Sequence, residues 1–187
     1  LDAVFYTHDH ADHTHGIDDL RGVYHCQGTP IDIYGDKQTL STLHRRFNYV
    51  FEGKGGYPSI AEAHEIETGQ TLRFGQIDVT PFLQTHGGIN SLGFRFNSMA
   101  YSTDLNAIPE ESEAFLRGLD LWIVDALRYD PHPTHPHLDL SLSWIKRFAP
   151  KRAILTHMNW DLDYATLAKN LPDSVEPGYD GMQITIS

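Results

Sequence analysis

Cysteine is nearly absent from this sequence of 187 residues, which contains one, Cys26. A single cysteine excludes an internal disulfide framework and is compatible with a reducing compartment, so we expect a cytoplasmic protein. Cys26 itself is expected to be a small buried hydrophobe. Long apolar runs are absent as well. No stretch approaches the ~20 residues that a membrane-spanning helix needs, and no membrane partner is expected.

Basic residues are also scarce. Lys and Arg number 14 against 25 Asp and Glu, which gives a formal net charge of −11. A general nucleic-acid binder would carry a basic face, so long nucleic acid is disfavoured as a substrate, although a local basic groove is compatible with this charge. A chain of this length can bury a substantial core, and we expect a single domain over residues 1–187.

Strand-like and helix-like patterns alternate along the chain, which predicts an α/β fold. The predicted strands are Ala3–Thr7, Ile31–Tyr34, Gln70–Phe74, Ile77–Leu83, Ser91–Phe96, Met99–Ser102, Leu121–Asp125, Ala153–Thr156 and Gln183–Ile186. The predicted helices are Asp36–Phe47, Pro109–Arg117, Asp139–Phe148 and Tyr164–Asn170. Asp36 is predicted to cap its helix, and Pro109 suits a first helical position. The glycine-rich stretch Asn48–Tyr57 is predicted as a mobile surface loop near a cleft, with a linker as the alternative.

Four potential metal ligands stand directly after the first predicted strand: His8, His10, Asp12 and His13. Imidazole suits Zn, Fe or Mn, and a neighbouring carboxylate favours a hydrolytic site over a structural zinc finger. One ion could not readily use all four ligands from so short a loop, whereas two ions about 3.5–4 Å apart could. The alternative is a chance histidine cluster on a solvated loop.

Three further candidates, His86, Asp104 and His157, each follow a predicted strand, where sites are commonly built on a rigid frame. Alone, each is more typical of a hydrogen-bonded turn, but together with the first motif they complete a ligand set for two ions. The predicted ligands of one ion are His8, His10 and His86, those of the other are Asp12, His13 and His157, and Asp104 bridges both. Asp12 is also predicted as a catalytic residue. The ions would be Zn or Mn, with Fe as an alternative, and would activate a shared water or hydroxide.

Metal-bound imidazoles usually donate their other N–H to a carboxylate or carbonyl. Asp9, Asp18, Asp125 and Asp161 are candidates for that role, with a solvated surface position as the alternative for each. The segment 132–137 interleaves three histidines with prolines, and it could form a third metal site or a plain loop.

Taken together, these motifs resemble the metallo-β-lactamase superfamily, and within it the PhnP-like phosphodiesterase branch. The segments that carry the resemblance are residues 7–21, 101–104, 132–138 and 155–158. The resemblance implies an αββα sandwich of two mixed sheets flanked by helices, with a dinuclear site at one edge and a homodimer as a common assembly. Members normally have several strands before the first motif, so we expect the natural chain to extend upstream, its N-terminal strands lying outside this sequence.

In the resembled branch, a histidine at the position of segment 132–137 contacts the phosphate or protonates the leaving group. His137 is the first candidate for that acid and His135 the second. A general acid is needed because an alkoxide leaves poorly unless it is protonated or bound to a metal.

The first functional hypothesis is hydrolysis of a phosphodiester, either a small cyclic phosphate or a nucleotide-like diester, by a hydroxide that bridges the ions. The second is hydrolysis of a carbonyl substrate such as a lactone, thioester or β-lactam at the same site. A tRNA 3′-processing nuclease shares several of the motifs, but the acidic charge argues against it. The last alternative is a metal-binding protein without turnover.

Overall fold

The computed structural model describes residues 1–186, which group into two compact units. The first unit is Leu1–Gln70, and the second begins at Thr71. The single domain expected from the sequence stays a prediction. Among residues 1–186, no helix combines the length and the apolar character needed to cross a membrane.

The first unit is built on a parallel sheet of three strands in the order β1-β2-β3. The strands are β1 Val4–Phe5, β2 Ile31–Gly35 and β3 Ala61–Glu65. The helices are α1 Ala11–Thr14, α2 Leu20–Gln27, α3 Lys37–Arg46 and α4 Asn48–Glu52, with a 3₁₀ segment at His15–Asp19.

Burial alternates along β2, as expected of a strand with one face in the core. Ile31 and Ile33 are fully buried, whereas the intervening Asp32 is half-buried. The chain then turns into α3, where the Asp36 carboxylate accepts a hydrogen bond of 2.7 Å from the Thr39 N–H. The predicted N-cap is therefore confirmed, and it fixes the start of the helix behind the sheet.

The second unit contains a mixed sheet of seven strands in the order β10-β9-β8-β7-β6-β5-β4. The strands are β4 Leu72–Phe74, β5 Ile77–His86, β6 Ile89–Phe96, β7 Met99–Ser102, β8 Leu121–Asp125, β9 Arg152–Thr156 and β10 Val175–Pro177. The helices are α5 Leu138–Phe148 and α6 Tyr164–Asn170, with a 3₁₀ segment at Glu110–Leu116. The core of this unit packs Trp122 edge-on against Phe148 and includes Trp144.

Strand direction determines which residues meet at one edge of this sheet. Strands β7 to β10 are mutually parallel, and β5 shares the direction of β7 because β6 is antiparallel to both. The carboxyl ends of these strands therefore lie at a common edge, where α/β proteins commonly build their sites.

The mixed α/β class and most predicted elements are confirmed, and the differences have local causes. β3, β10 and α2 were not predicted because their short sequences lack a clear apolar period. The predicted strand at residues 183–186 is wrong, since that segment pairs with no strand, and residues 110–116 form a 3₁₀ rather than an α-helix. Residues 48–52 form α4 instead of a loop. Cys26 is exposed rather than buried, because α2 has no fully buried residue.

Gly93 in β6 has no room for a side chain. A Cβ placed there would lie 2.3 Å from the ring of Phe82 and 2.6 Å from Gln84 Oε1, and both of those side chains are fully buried. We expect Gly93→Ala to lower the free energy of unfolding by about 1–3 kcal/mol, as overpacking of a core does. Gly88→Ala is the control, because a Cβ there meets nothing within 4 Å. Equal urea midpoints for the two variants would contradict this packing.

Candidate metal centre

The first unit holds four of the predicted ligands, which we call the N-terminal motif: His8, His10, Asp12 and His13. The His8 ring lies 4.5 Å from the ring of His10 and 4.6 Å from that of His13, measured between centroids. His13 Nε2 lies 3.4 Å from Asp12 Oδ2. The structure therefore brings the nitrogen and oxygen donors of this motif side by side.

The start of α1 arranges the motif. His10 occupies the N-cap position, and its carbonyl accepts hydrogen bonds from the Thr14 hydroxyl at 2.8 Å and from the His13 N–H at 3.2 Å. Those bonds turn the chain so that His13 comes back toward His8. His8 is 1% exposed, and its Nδ1 lies 3.0 Å from the Thr7 hydroxyl. The imidazole is thus held at a fixed orientation by a buried neighbour.

The second unit holds the strand-end group, which consists of His86, Asp104, Asp125, His135 and His157. Asp104 lies at its centre and is 2% exposed. Its Oδ2 is 3.4 Å from His86 Nε2, and its Oδ1 is 3.2 Å from His157 Nε2. Each carboxylate oxygen therefore faces a different histidine, which is the geometry required of a carboxylate that bridges two cations.

Asp104 and His157 adopt an unusual backbone conformation. Their φ angles are 52° and 58°, in the left-handed region that residues other than glycine rarely enter. Each follows the last residue of a parallel strand by one or two positions. Such strain persists only where surrounding contacts hold it, and it concentrates at functional sites.

Asp125 links two members of the strand-end group by hydrogen bonds. Its Oδ2 accepts a hydrogen bond of 2.9 Å from His135 Nδ1 and one of 3.1 Å from the backbone N–H of Asp104. The side chain is fully buried, and desolvation raises the pKa of its carboxyl despite the opposing effects of His135 and His157. Of the four carboxylates predicted to orient a histidine, Asp125 is the one that does so.

Two of the other three aspartates lie at the surface. Asp18 is exposed and pairs with Arg21 at 2.9 Å, and the exposed Asp161 donates its backbone N–H to the side-chain oxygen of Asn159. These are the solvated positions that the sequence left as the alternative. Asp9 is half-buried, and its backbone carbonyl accepts a hydrogen bond from Arg46.

The histidine–proline segment 132–137 is anchored to the end of β5. His86 Nδ1 donates to the carbonyl of Thr134 at 2.8 Å, which turns His86 Nε2 toward Asp104. Asn106 links the same parts, since its side chain accepts from the Gly87 N–H and donates to the carbonyl of Pro133. Gly87 must be glycine here, because its φ is 61° and a Cβ would lie 2.5 Å from Thr134 Cγ2.

That anchoring places the two candidate acids in different surroundings. His135 lies in the strand-end group, with its ring 4.8 Å from that of His86 and stacked 4.9 Å from that of His157. Its Nε2 is 3.9 Å from Asp104 Oδ2. His137 instead occupies the N-cap of α5, and among residues 1–186 no hydrogen bond or ion pair involves its side chain. The geometry therefore favours His135, the second choice from the sequence, over His137.

Three polar residues that sequence reasoning did not single out support Asp104. The Thr103 hydroxyl donates to Asp104 Oδ1 at 2.8 Å, and the Ser91 hydroxyl donates to the Asp104 carbonyl at 2.7 Å. Gln84, opposite Ser91 in the sheet, donates to the Ser91 hydroxyl and to the carbonyl of Thr103. For Gln84 and Ser91, the only signal in the sequence is a polar residue inside a predicted strand, and it becomes informative once the pairing of β5 with β6 is known.

The donor chemistry fits divalent cations. Asp104, Asp125, His135 and His157 each offer an atom that lies within 4.8 Å of the others, and these donors are imidazole nitrogens and carboxylate oxygens without thiolate. Such a mixture suits Zn, Mn or Fe. The His/Asp groups thus fit a metal site.

Comparison with known proteins agrees with these features. Residues 1–158 match the family described as the beta-lactamase superfamily domain. The chain is 30% identical, over its whole length, to an octanoyltransferase from Porphyromonas gingivalis strain ATCC BAA-308 / W83 and covers 38% of that protein. It is 27% identical to the exodeoxyribonuclease WalJ of Streptococcus pneumoniae serotype 2 strain D39, where the match covers 67% of the chain and 44% of WalJ. The chain therefore spans about two fifths of the length of these curated relatives.

A solved structure shares the fold over nearly the whole chain. It is the crystal structure of a diphosphatase from the PhnP family, with a TM-score of 0.88 and 34% identity, covering 97% of this chain and 69% of the other. With the family match and the His/Asp groups, this confirms the resemblance seen in the sequence: the chain belongs to the metallo-β-lactamase superfamily.

Proposed function

We propose that this protein is a dinuclear metal-dependent phosphodiesterase that acts on a small cyclic phosphate or a nucleotide-like diester. The observation that carries the proposal is the placement of Asp104, whose two oxygens face His157 and His86 separately. In the proposed centre, His8, His10 and His86 would hold one cation, Asp12, His13 and His157 would hold the other, and Asp104 would be available to both. Such cations would polarise phosphoryl oxygens and lower the pKa of a bound water toward neutrality.

Contacts around the proposed ligands would fix which ring nitrogen of a histidine faces a cation. The hydrogen bond from His86 Nδ1 to the Thr134 carbonyl supports a lone pair on His86 Nε2, on the side of Asp104. Thr103 and Ser91 hold the side chain and the carbonyl of Asp104 in place. Zn and Mn are the proposed metals, with Fe as an alternative.

His135 is the proposed proton donor to the leaving oxygen. Its Nδ1–H donates to Asp125, which fixes the ring, while Nε2 lies on the Asp104 side. Proton transfer from Nε2 would give the departing alkoxide the proton that it needs. Asp125 acts through His135 and is a positioning residue.

One observation supports a phosphate ester over a carbonyl substrate. The similar proteins include, beside the one named an octanoyltransferase, one named a diphosphatase and one named an exodeoxyribonuclease. The formal net charge of −11 suits a small anion drawn to local cations better than a long polyanion.

The test is a substrate panel with the full chain loaded with Zn or Mn. We expect turnover of bis(p-nitrophenyl) phosphate and of a 2′,3′-cyclic nucleotide, and loss of at least about 100-fold in rate after chelation, restored by adding metal back. A lactone and a thioester are assayed alongside. Turnover of the carbonyl substrates alone would overturn the proposal, as would phosphodiester turnover that chelation leaves intact.

A further inference from the structure

The first unit contains a cavity of about 580 Å³ that lies outside the N-terminal motif. It is lined by Asp18, Arg21, Tyr49, Lys54 and Tyr57, and we call it the tyrosine cavity. Its volume falls within the range of ~300–1,000 Å³ typical of sites for small molecules. Its lining combines two aromatic rings with two cationic side chains, although acidic residues outnumber basic ones in the chain as a whole.

A rigid hairpin presents Lys54 and Tyr57 to the cavity. Their backbones exchange two hydrogen bonds of 3.1 and 3.0 Å across Gly55 and Gly56, whose φ angles of 61° and 90° match the tight turn favoured in hairpins. The preceding Gly53 is fixed too, because a Cβ there would lie 2.5 Å from the carbonyl oxygen of Tyr57. The backbone hydrogen bonds thus give residues 54–57 a defined turn, from which the side chains of Lys54 and Tyr57 reach the cavity.

The cations of the cavity retain capacity to bind an anion. Arg21 donates to Asp18 at 2.9 Å with one of its five N–H groups, and its guanidinium lies 6.0 Å from the Tyr57 ring centroid. Within residues 1–186, the Lys54 ammonium has no carboxylate partner. A phosphate would supply the missing negative charge and could bridge both cations.

The rings are unusually accessible for aromatic side chains. Tyr57 is 70% exposed and Tyr49 is 38% exposed. Exposed rings beside cations are the pattern by which proteins take up a base together with its phosphate, since every base offers a π-face for stacking.

We propose that the tyrosine cavity binds a nucleoside monophosphate, with the base stacked on Tyr57 and the phosphate held by Lys54 and Arg21. The assignment rests on first-unit residues alone and does not depend on the metal centre. A free mononucleotide is favoured over a nucleic-acid chain, because the net charge of −11 repels a long polyanion.

The experiment is calorimetric titration of the full chain with AMP, adenosine and ribose 5-phosphate, both metal-loaded and after chelation. We expect AMP to bind about tenfold or more tightly than either fragment, in both conditions. Tyr57→Ala should weaken AMP and adenosine alike by about tenfold, whereas Lys54→Ala should weaken AMP and ribose 5-phosphate but leave adenosine unchanged. Tyr164→Ala and Lys37→Ala are the matched controls, since both side chains are exposed elsewhere, and circular dichroism verifies that each variant is folded.

Three results would overturn the assignment: AMP affinity unchanged in both cavity variants, ribose 5-phosphate binding as tightly as AMP, or tighter binding of a single-stranded RNA dodecamer. Failure of the two proposals can be told apart. If no phosphodiester is hydrolysed but AMP binding still depends on Tyr57 and Lys54, the hydrolase proposal fails and the cavity assignment stands. If diesters are hydrolysed and the cavity variants bind AMP normally, the cavity assignment fails and the hydrolase proposal stands.

Discussion

Asp104→Ala is expected to lower kcat/KM for bis(p-nitrophenyl) phosphate by about a thousandfold or more, because residues that act as one catalytic unit fail together. The variant removes the carboxylate that faces both His86 and His157 and leaves the hydroxyl of Thr103 without its acceptor. Elemental analysis should show the bound metal falling from about two equivalents to one or fewer. The activity and metal content of Asp104→Asn should lie between those of Asp104→Ala and those of the unmodified protein, since asparagine keeps the shape of the side chain but loses its charge.

Asp173→Ala is the control for the Asp104 variants, because Asp173 is an exposed carboxylate of the same unit. Its activity and metal content should match those of the unmodified protein. Unchanged metal content and turnover in Asp104→Ala would show that the proposed dinuclear assignment is wrong.

The second large effect is expected from His135→Ala, and it should depend on the leaving group. With a diester that releases an alkoxide, kcat should fall about 10²- to 10⁴-fold, the range of general acid catalysis. With bis(p-nitrophenyl) phosphate, whose phenolate leaves without a proton, the loss should be much smaller. A merely structural role would lower both rates alike, so the difference between substrates identifies the proton donor.

His137→Ala separates the two candidate acids. Its side chain is at the N-cap of α5 and forms no cap hydrogen bond, so we expect both substrates to be turned over at nearly the normal rate. If kcat fell in a leaving-group-dependent way in His137→Ala but not in His135→Ala, the general acid would be His137. Asp125→Asn should act in the same direction as His135→Ala, because it weakens the hold on His135 Nδ1.

Most of the candidate ligands could be predicted from the sequence, because apolar runs show where the strands end. His86 closes β5, Asp104 follows β7 and His157 follows β9, and each of those strands has a clear apolar run. The sequence could not predict which of His135 and His137 lies beside Asp104. That choice depends on Asn106 and His86 bonding to the carbonyls of Pro133 and Thr134, contacts between segments far apart in the chain.

Short elements could not be predicted for a related reason. β3 and β10 are fixed by pairing with β2 and β9 rather than by a hydrophobic period of their own. The 183–186 segment shows the opposite failure, since its alternating pattern suits a strand but finds no partner strand. The support of Asp104 by Gln84 and Ser91 likewise became visible only through the register of β5 and β6.

The left-handed backbone at Asp104 and His157 has an energetic consequence. Each residue is kept in a conformation that costs an L-residue about 1 kcal/mol or more and that glycine would occupy freely. The two side chains face each other at 3.2 Å, so the fold gives up backbone stability at the two positions whose side chains it holds together. A glycine at either position would relieve the backbone and remove the side-chain contact at the same time.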